Sequence, residues 1–219
     1  MKKIIAGLVS IFLLASCTTT NDTQENSQEI NTQQKTILAL WDSITAGYNL
    51  DISQAYPAQL ETLMQDKGYN YKIINAWVSW DTSQNLLDRI DLYADTQADI
   101  YLLTIGGNDA LRRMDLQNLK QNIQEIIDTI YSQNPDAQIV LSGMQIPINY
   151  GLSYANNFKK LYSEVAEENN LEFYEFFLED VAQKSDLNLS DGIHPNEKWY
   201  AIIAQNLFDF LKKEKIISQ

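Results

Sequence analysis

Between residues 36 and 214 the chain alternates short apolar runs with longer amphipathic stretches, and this alternation restricts the possible folds most. The apolar runs lie at 37–42, 71–76, 100–105, 137–141 and 171–176. Runs of this length suit strands that are buried on both faces, and the stretches between them suit crossover helices. The pattern therefore predicts an α/β fold, with a single doubly wound domain, a five-stranded parallel sheet and flanking helices.

The stretches between the runs carry the periodicity and the end signals of amphipathic helices. We predict helices over 55–67 and 83–93, a long helix over 116–134, one that follows a loop at 145–152 and reaches about 169, and a last one that includes 200–211. Gly68 and the pair Asn134-Pro135 stand where helices commonly end. We find no internal repeat, so we expect one domain and not a repeat array.

Polar residues cluster where three of the predicted strands end and where the last helix begins. The clusters are Asp42-Ser43, residues 75–82, Gly106-Gly107-Asn108-Asp109 and residues 191–194. Taken singly, each has an ordinary explanation, since Asp-Ser pairs cap helices and a Gly-Gly-Asn-Asp segment forms turns. Parallel strands, however, bring their carboxyl ends to one edge of the sheet, where α/β proteins bind ligands. The joint occurrence of the clusters therefore predicts a functional site at that edge.

The residue types in these clusters point to catalysis by a serine. A hydroxyl at the end of the first strand, that of Ser43, needs a base before it attacks a substrate. His194 is the only histidine in the chain, and Asp191 stands three residues before it. The only cysteine, Cys17, lies near the N-terminus, so an intrachain disulfide is excluded and the body of the chain has no thiol. With one histidine and no cysteine in the body of the chain, we predict no metal site. Catalysis by a serine hydroxyl implies no organic cofactor either.

The net charge of the chain limits the partners that it can bind. It is −13 at pH 7, with 16 basic and 29 acidic residues. Contacts to nucleic-acid phosphates require clustered Lys and Arg, and the sequence contains no basic stripe. We therefore exclude nucleic acid as a partner.

The first residues resemble a targeting segment and not a part of the fold. Lys2 and Lys3 precede an apolar run at 4–15, which is shorter than the roughly 20 residues that span a membrane. The segment Leu14-Ala15-Ser16-Cys17 resembles a bacterial lipoprotein processing site, and the alternative is ordinary cleavage nearby. We predict a signal peptide at 1–16, lipidation of Cys17 with a disordered tether over 17–35, and a domain at 36–219. The protein would then be a membrane-anchored, extracytoplasmic lipoprotein of the bacterial cell envelope.

Four blocks of the sequence resemble the SGNH, or GDSL-type, hydrolase superfamily. They are Trp41-Asp42-Ser43-Ile44, residues 75–82, Gly106-Gly107-Asn108-Asp109 and Asp191-Gly192-Ile193-His194-Pro195. The resemblance implies a flavodoxin-like SGNH hydrolase fold, in which His194 deprotonates Ser43 and Asp191 orients the imidazole. It also implies an oxyanion hole built from the backbone N–H of Ser43, the backbone N–H of Trp80 and the side-chain amide of Asn108.

Two further segments resemble the thioesterase, arylesterase and lysophospholipase branch of the superfamily. They are residues 107–112 and the loop 147–151, in which Pro147 and Tyr150 would contact the substrate. The resemblance implies a serine esterase that cleaves acyl esters or thioesters of small molecules or lipids, and we expect the protein to be a monomer. Two alternatives stay open, a carbohydrate O-deacetylase and a surface lipoprotein that keeps the scaffold without catalysis.

All four tryptophans stand where the superfamily pattern has or favours glycine. They are Trp41, Trp77, Trp80 and Trp199. An indole replaces a glycine of positive φ, or one that substrate approaches closely, only at a steric cost. Three explanations are open: a degraded or repurposed hydrolase, loops that have adjusted around an altered pocket, or UGA codons read as tryptophan where the source lineage reads glycine. The glycine content, 8 in 219 residues, favours the last explanation because about 7% is usual.

Overall fold

A computed structural model describes residues 33–40, 50–189 and 195–219. The strands in these ranges are β1 Lys35–Leu40, β2 Tyr71–Asn75, β3 Ile100–Leu103, β4 Gln138–Ser142 and β5 Glu172–Tyr174. They form a parallel sheet in the order β2-β1-β3-β4-β5. This is the flavodoxin-like strand order, so the predicted doubly wound α/β domain is confirmed. The predicted signal peptide and most of the predicted tether lie outside the described residues.

The helices connect these strands in the alternation that the sequence predicts. They are α1 Tyr56–Asp66, α2 Ser83–Arg89, α3 Gly107–Leu111, α4 Leu116–Gln133, α5 Leu152–Asn169 and α6 Glu197–Lys213. Short 3₁₀ helices lie at Ile52–Gln54, Ile90–Thr96, Ile148–Tyr150 and Ser185–Leu187. Helix α1 packs against α6, while α2 and α5 both pack against α4. This pairing is consistent with the two helix layers of a doubly wound fold.

The three central strands of the sheet, β1, β3 and β4, are largely buried because they are mostly apolar on both faces. The residues from Ile37 to Leu40 in β1 have no exposed surface, and β3 is buried along its whole length. Helix α4 buries one face, whose residues recur at spacings of three and four: Leu119, Ile123, Ile126, Ile127 and Ile130. The strands and this helix face belong to the same hydrophobic core.

The structure differs from the sequence prediction at two helices near the predicted site. The predicted helix 83–93 is α-helical only to Arg89 and continues as the 3₁₀ helix Ile90–Thr96. Both forms bring residues three apart onto one face, so the apolar pattern alone does not separate them. The Gly-Gly-Asn-Asp segment, for which we predicted no helix, begins the short helix α3.

The register of the sheet brings the polar segments to one edge. Leu40 of β1 is paired with Leu103 of β3, which is paired with Leu141 of β4. At the end of β2, Asn75 is paired with Ala39. Segments 76–82, 104–112 and 143–152 therefore leave the sheet at its carboxyl edge, where the sequence predicts the site.

Candidate active site

The predicted site residues fall into two groups. Ser43, Asp191 and His194 lie outside the described residues, as does Cys17, so the arrangement of the predicted triad stays a prediction. The described part of the chain contains the other candidates: Trp80, Asn108, Pro147 and Tyr150. These four occupy three segments that leave the carboxyl edge of the sheet.

Gly106 sets the direction in which α3 leaves the sheet. Its φ is +105°, a left-handed backbone that favours glycine. A Cβ atom at this position would also collide with the Tyr162 hydroxyl and the Leu119 side chain. The Tyr162 hydroxyl is held there because it donates a hydrogen bond of 2.7 Å to the carbonyl of Ile105. The sharp turn at Gly106 thus starts α3 directly behind β3, with Asn108 in the first turn of the helix.

Asn108 joins α3 to the segment that follows β2. Its side chain is buried, with 4% exposed, and its amide donates a 2.9 Å hydrogen bond to the carbonyl of Asp81. A side-chain amide carries two N–H donors, and this bond uses one of them. The bond therefore fixes the orientation of the amide and leaves its second N–H for another acceptor.

Trp80 precedes that carbonyl and has a strained backbone. Its φ is +67°, a left-handed conformation that costs a residue other than glycine about 1 to 2 kcal/mol. The indole is 65% exposed, so burial of the ring does little to offset this cost. The Trp80 carbonyl accepts a 3.0 Å hydrogen bond from Nη2 of Arg112. Within the described residues, no hydrogen bond engages the Trp80 N–H.

Asp81 anchors the same segment through a buried ion pair. Its carboxylate accepts a 2.7 Å hydrogen bond from Nε of Arg89, and both side chains are largely buried. Arg89 also donates to the Tyr93 hydroxyl at 2.6 Å and lies over that ring. Thr82 then caps the N-terminus of α2 through a reciprocal capping box with Asn85. Residues 80–82 are thus held by Asn108 and Arg112 on one side and by α2 on the other.

The 147–152 segment lies beside the turn that follows α3. The guanidinium of Arg113 lies 5.4 Å from the ring centroid of Tyr150, and the Tyr154 hydroxyl donates a 2.8 Å hydrogen bond to the Met114 carbonyl. Burial, followed by the nearby charge of Asp109, raises the pKa of Tyr154 above its ordinary value. Three apolar side chains in this region are more than half exposed: Leu111, Ile148 and Leu152. The segment that carries Pro147 and Tyr150 therefore presents apolar surface next to the helix that carries Asn108.

Comparison with known proteins identifies the family. The sequence model of the GDSL-like lipase/acylhydrolase family matches residues 39–202. The chain belongs to this family. Esterase TesA of Pseudomonas aeruginosa is 35% identical over 179 residues, which cover 81% of this chain and 88% of that protein. Thioesterase 1/protease 1/lysophospholipase L1 of Escherichia coli is 36% identical over 170 residues, or 77% of this chain and 79% of that protein.

A solved structure supports the same assignment at the level of the fold. The crystal structure of the psychrotrophic esterase EstA from Pseudoalteromonas sp. matches with a TM-score of 0.77 and 30% identity. The match covers 82% of this chain and 98% of that one. The superfamily resemblance predicted from the four sequence blocks is therefore confirmed. The matched range 39–202 contains Ser43, Asp191 and His194.

The tryptophans at family glycine positions have different surroundings in the structure. Trp80 has the backbone that glycine favours, as described above. Trp199 instead lies in the first turn of α6, where its buried ring packs edge-on against Tyr200. Trp77 is half-buried, and Trp41 lies outside the described residues. Among the three tryptophans that the structure describes, only Trp80 has a left-handed backbone.

Sequence reasoning missed several polar contacts that hold the site together. Asp81, Arg89 and Arg112 were not predicted to contribute, although each is bonded to residues 80–82 or their neighbours. The family block at 75–82 includes Asp81, but nothing in the spacing pairs it with Arg89. No group of three His, Cys, Asp or Glu side chains suited to a metal ion occurs in the part of the chain that the structure describes.

Proposed function

We propose that the protein is a serine ester hydrolase that uses Ser43 as nucleophile, His194 as general base and acid, and Asp191 to orient the imidazole. Family membership and the names of the relatives, an esterase and a thioesterase/lysophospholipase, support ester hydrolysis. The order of the four sequence blocks supports the assignment of the three residues. Leu40 ends β1 beside β3, only three residues before Ser43, so the nucleophile would follow the strand at the carboxyl edge.

The proposed reaction proceeds through an acyl-enzyme. His194 takes the proton of Ser43 as the hydroxyl oxygen attacks the acyl carbonyl, and the carbonyl oxygen becomes an oxyanion. The tetrahedral intermediate collapses, the bond to the leaving alcohol or thiol breaks, and His194 returns the proton to that group. Water then attacks the acyl-enzyme by the same steps and releases the acid and Ser43.

One observation supports the proposal most directly: a buried hydrogen bond joins Asn108, which carries one predicted oxyanion donor, to the segment that carries another, the Trp80 N–H. The Asn108 amide is fixed on the Asp81 carbonyl and keeps a second N–H, while the N–H of Trp80, one residue before Asp81, has no hydrogen bond within the described residues. Donors fixed in advance stabilise an oxyanion because no reorganisation is needed as charge develops. The backbone N–H of Ser43 would complete the set.

The exposed apolar surface favours an acyl chain over a sugar as the group next to the scissile bond. Leu111, Ile148 and Leu152 are 53%, 72% and 63% exposed, and they lie in segments joined by the Tyr154–Met114 bond. Contiguous exposed apolar side chains near a site commonly bind an apolar ligand. We therefore propose acyl esters or thioesters, including lysophospholipids, as substrates.

Hydrolysis of p-nitrophenyl esters from acetyl to decanoyl tests the function, beside an acetylated oligosaccharide. We expect hydrolysis of the esters, with Ser43→Ala lowering kcat on the order of 10⁶-fold. Preference for the oligosaccharide would instead identify an O-deacetylase. Covalent labelling by a fluorophosphonate should disappear in Ser43→Ala, and a chain that neither labels nor hydrolyses would be a non-catalytic binder.

We further propose that the native protein has glycine at positions 41, 77, 80 and 199. The left-handed backbone at Trp80 supports this, because that conformation suits glycine and strains a bulky residue. Reading the four codons tests it, and UGG at these positions would contradict it. The hydrolysis and labelling assays are therefore made on two chains, the tryptophan chain with all four tryptophans and the glycine chain with glycine at all four positions. Trp80→Gly alone should not lower the free energy of unfolding and should raise it by up to about 1 kcal/mol.

We also propose that the protein is anchored in the bacterial cell envelope through lipid on Cys17, with residues 17–35 as a tether. The lone cysteine at a lipoprotein-like processing site supports this. No helix in the described ranges has the length and apolar character needed to cross a bilayer. Metabolic labelling with a fatty acid tests the anchor: label on the wild type and none on Cys17→Ser is the expected result. Label retained by Cys17→Ser, or no label on either protein, would contradict the proposal.

A further inference from the structure

Asp109 is a buried carboxylate for which the proposed mechanism has no use. It follows Asn108 in α3 and is 2% exposed. No Lys or Arg forms an ion pair with it within the described ranges. Burial of a carboxylate is costly unless hydrogen bonds compensate for the lost water. Its surroundings must therefore supply strong donors.

Both donors come from one residue, Ser83. The Ser83 N–H donates to Oδ2 of Asp109 at 2.9 Å, and the Ser83 hydroxyl donates to Oδ1 at 2.6 Å. The hydroxyl in turn accepts a 3.0 Å hydrogen bond from the Asn122 amide on α4. Hydrogen bonds to a charged acceptor are short and strong, so this paired contact is a rigid one. It joins α3 to the first residue of α2 across 26 positions of the sequence.

This contact is one of three that attach residues 108–112 to residues 80–83. Arg112 binds the carbonyl of residue 80, Asn108 binds the carbonyl of residue 81, and Asp109 binds residue 83. Arg112 is exposed, and Asn108 would itself contact the oxyanion. Asp109 therefore provides the only attachment of the three that is both buried and separate from the proposed donors.

We propose that Asp109 is a positioning residue of the hydrolytic reaction. By holding Ser83, it fixes the segment whose N–H at residue 80 must converge with the Asn108 amide on one oxyanion. The inference rests on the proposed function, since it assigns a role only if those two donors act in catalysis. A small misplacement of such a donor lowers the rate steeply, because the donor must meet the oxyanion in the transition state.

Asp109→Asn tests the proposal. The substitution is made in the chain that hydrolyses p-nitrophenyl butyrate, either the tryptophan chain or the glycine chain. The amide keeps an acceptor for the Ser83 N–H but presents a donor to the Ser83 hydroxyl. We expect kcat to fall roughly 10- to 100-fold, with KM within about twofold of the parent. Asp99→Asn is the control for the same substitution outside the site, because Asp99 also accepts a backbone N–H, that of Thr36 at 2.7 Å, but is exposed and lies at the amino edge of the sheet. The control should retain the parent kcat.

A double-mutant cycle with Asn108→Ala separates positioning from general stabilisation. If Asp109 acts by aligning the oxyanion donors, adding Asp109→Asn to Asn108→Ala should lower kcat by much less than it does alone. The proposal would be overturned if the two substitutions lowered kcat by fully multiplicative factors, or if Asp109→Asn alone kept the parent kcat. Labelling to completion by a fluorophosphonate counts the protein molecules whose nucleophile is reactive. Expressing kcat per labelled molecule therefore removes the effect of any misfolded fraction.

Ser83→Ala provides a second variant if Asp109→Asn does not fold. It removes the hydroxyl bond and leaves the backbone N–H bond, so we expect about a 3- to 10-fold fall in kcat and the same non-additivity with Asn108→Ala. A parent kcat in Ser83→Ala would also overturn the proposal. Failure of the proposed function is recognised separately, because the parent chain would then show no hydrolysis that depends on Ser43.

Discussion

Two neighbouring regions at the carboxyl edge of the sheet are built in opposite ways. The first, which we call the clamp, comprises residues 80–83 and 107–112. Its polar groups are mostly buried and joined by hydrogen bonds between distant parts of the sequence, as between Asn108 and Asp81. The second, the rim loop, comprises residues 147–152. Its backbone bonds are local, from Tyr150 to Pro147 and from Gly151 to Ile148, and its apolar side chains are exposed.

The difference matches two different requirements of ester hydrolysis. An oxyanion forms at one point, so its donors must be fixed within a fraction of an ångström, which buried and cross-linked groups provide. An acyl chain presents a long, featureless apolar surface, so a partly exposed loop can bind chains of several lengths. The clamp should therefore control kcat and the rim loop should control KM. The predictions below test this division.

Of the changes in these two regions, Asn108→Ala in the clamp should have the largest effect. The variant removes one oxyanion donor and the bond to the Asp81 carbonyl. Loss of one such donor typically lowers kcat about 100- to 1,000-fold, or roughly 3 to 4 kcal/mol of transition-state stabilisation. Steady-state hydrolysis of p-nitrophenyl butyrate should show this fall with little change in KM.

Asn134→Ala is the matched control for that prediction. The Asn134 amide also donates to a distant backbone carbonyl, that of Ala98 at 2.9 Å, but near the amino edge of the sheet. Its loss should lower stability without changing kcat. If Asn108→Ala raised KM and left kcat intact, the clamp would bind substrate in the ground state and the division between the two regions would fail.

A smaller effect, of the opposite kinetic type, is expected from Ile148→Ser and Leu152→Ser in the rim loop. Each removes apolar surface that is more than half exposed in the free protein. We expect KM for the decanoyl ester to rise about 3- to 10-fold per variant, on the scale of about 1 kcal/mol for a partly buried side chain. KM for the acetyl ester and kcat for both esters should change less than twofold.

Leu92→Ser is the comparison for the rim loop, since Leu92 is 79% exposed on the 3₁₀ helix that leads towards the start of β3. It should leave both kinetic constants unchanged. Equal effects of the rim variants on acetyl and decanoyl esters would contradict an acyl-binding role for the loop.

The sequence predicted the scaffold of this site better than its internal contacts. Strands and long helices follow from local pattern, so β1 and α4 lie close to their predicted bounds. Helix α3 was missed because five residues carry too little periodicity, and because its start depends on the left-handed Gly106 packed against Tyr162. The bond between Asp109 and Ser83 is tertiary, and no spacing rule pairs these residues. The triad of Ser43, Asp191 and His194 stays a prediction.

The glycine-like position at residue 80 shows what a departure from a family pattern can reveal. The sequence marks Trp80 as unexpected, but it does not show which of the four tryptophans occupies a backbone that glycine prefers. The structure gives that φ as +67°. At residue 80, the family pattern and the backbone conformation therefore both favour glycine. This residue lies in the clamp.

The smallest expected effect concerns Tyr154, whose hydroxyl joins the two regions by its bond to the Met114 carbonyl. Tyr154→Phe removes one partly exposed hydrogen bond and should lower the free energy of unfolding by about 0.5 to 1 kcal/mol at pH 8. Burial raises the pKa of Tyr154 in the folded protein. The contribution of the Tyr154 hydroxyl to the free energy of unfolding is therefore fully present below the unfolded pKa of about 10, and it is lost as pH rises through the higher folded pKa. Urea unfolding at pH 8 and at pH 11 should therefore show the difference between wild type and variant shrinking at the higher pH. A difference that stays constant from pH 8 to pH 11 would mean that folding does not raise the pKa of Tyr154. An unchanged KM for the decanoyl ester in the variant would show that the rim loop keeps its position without this bond.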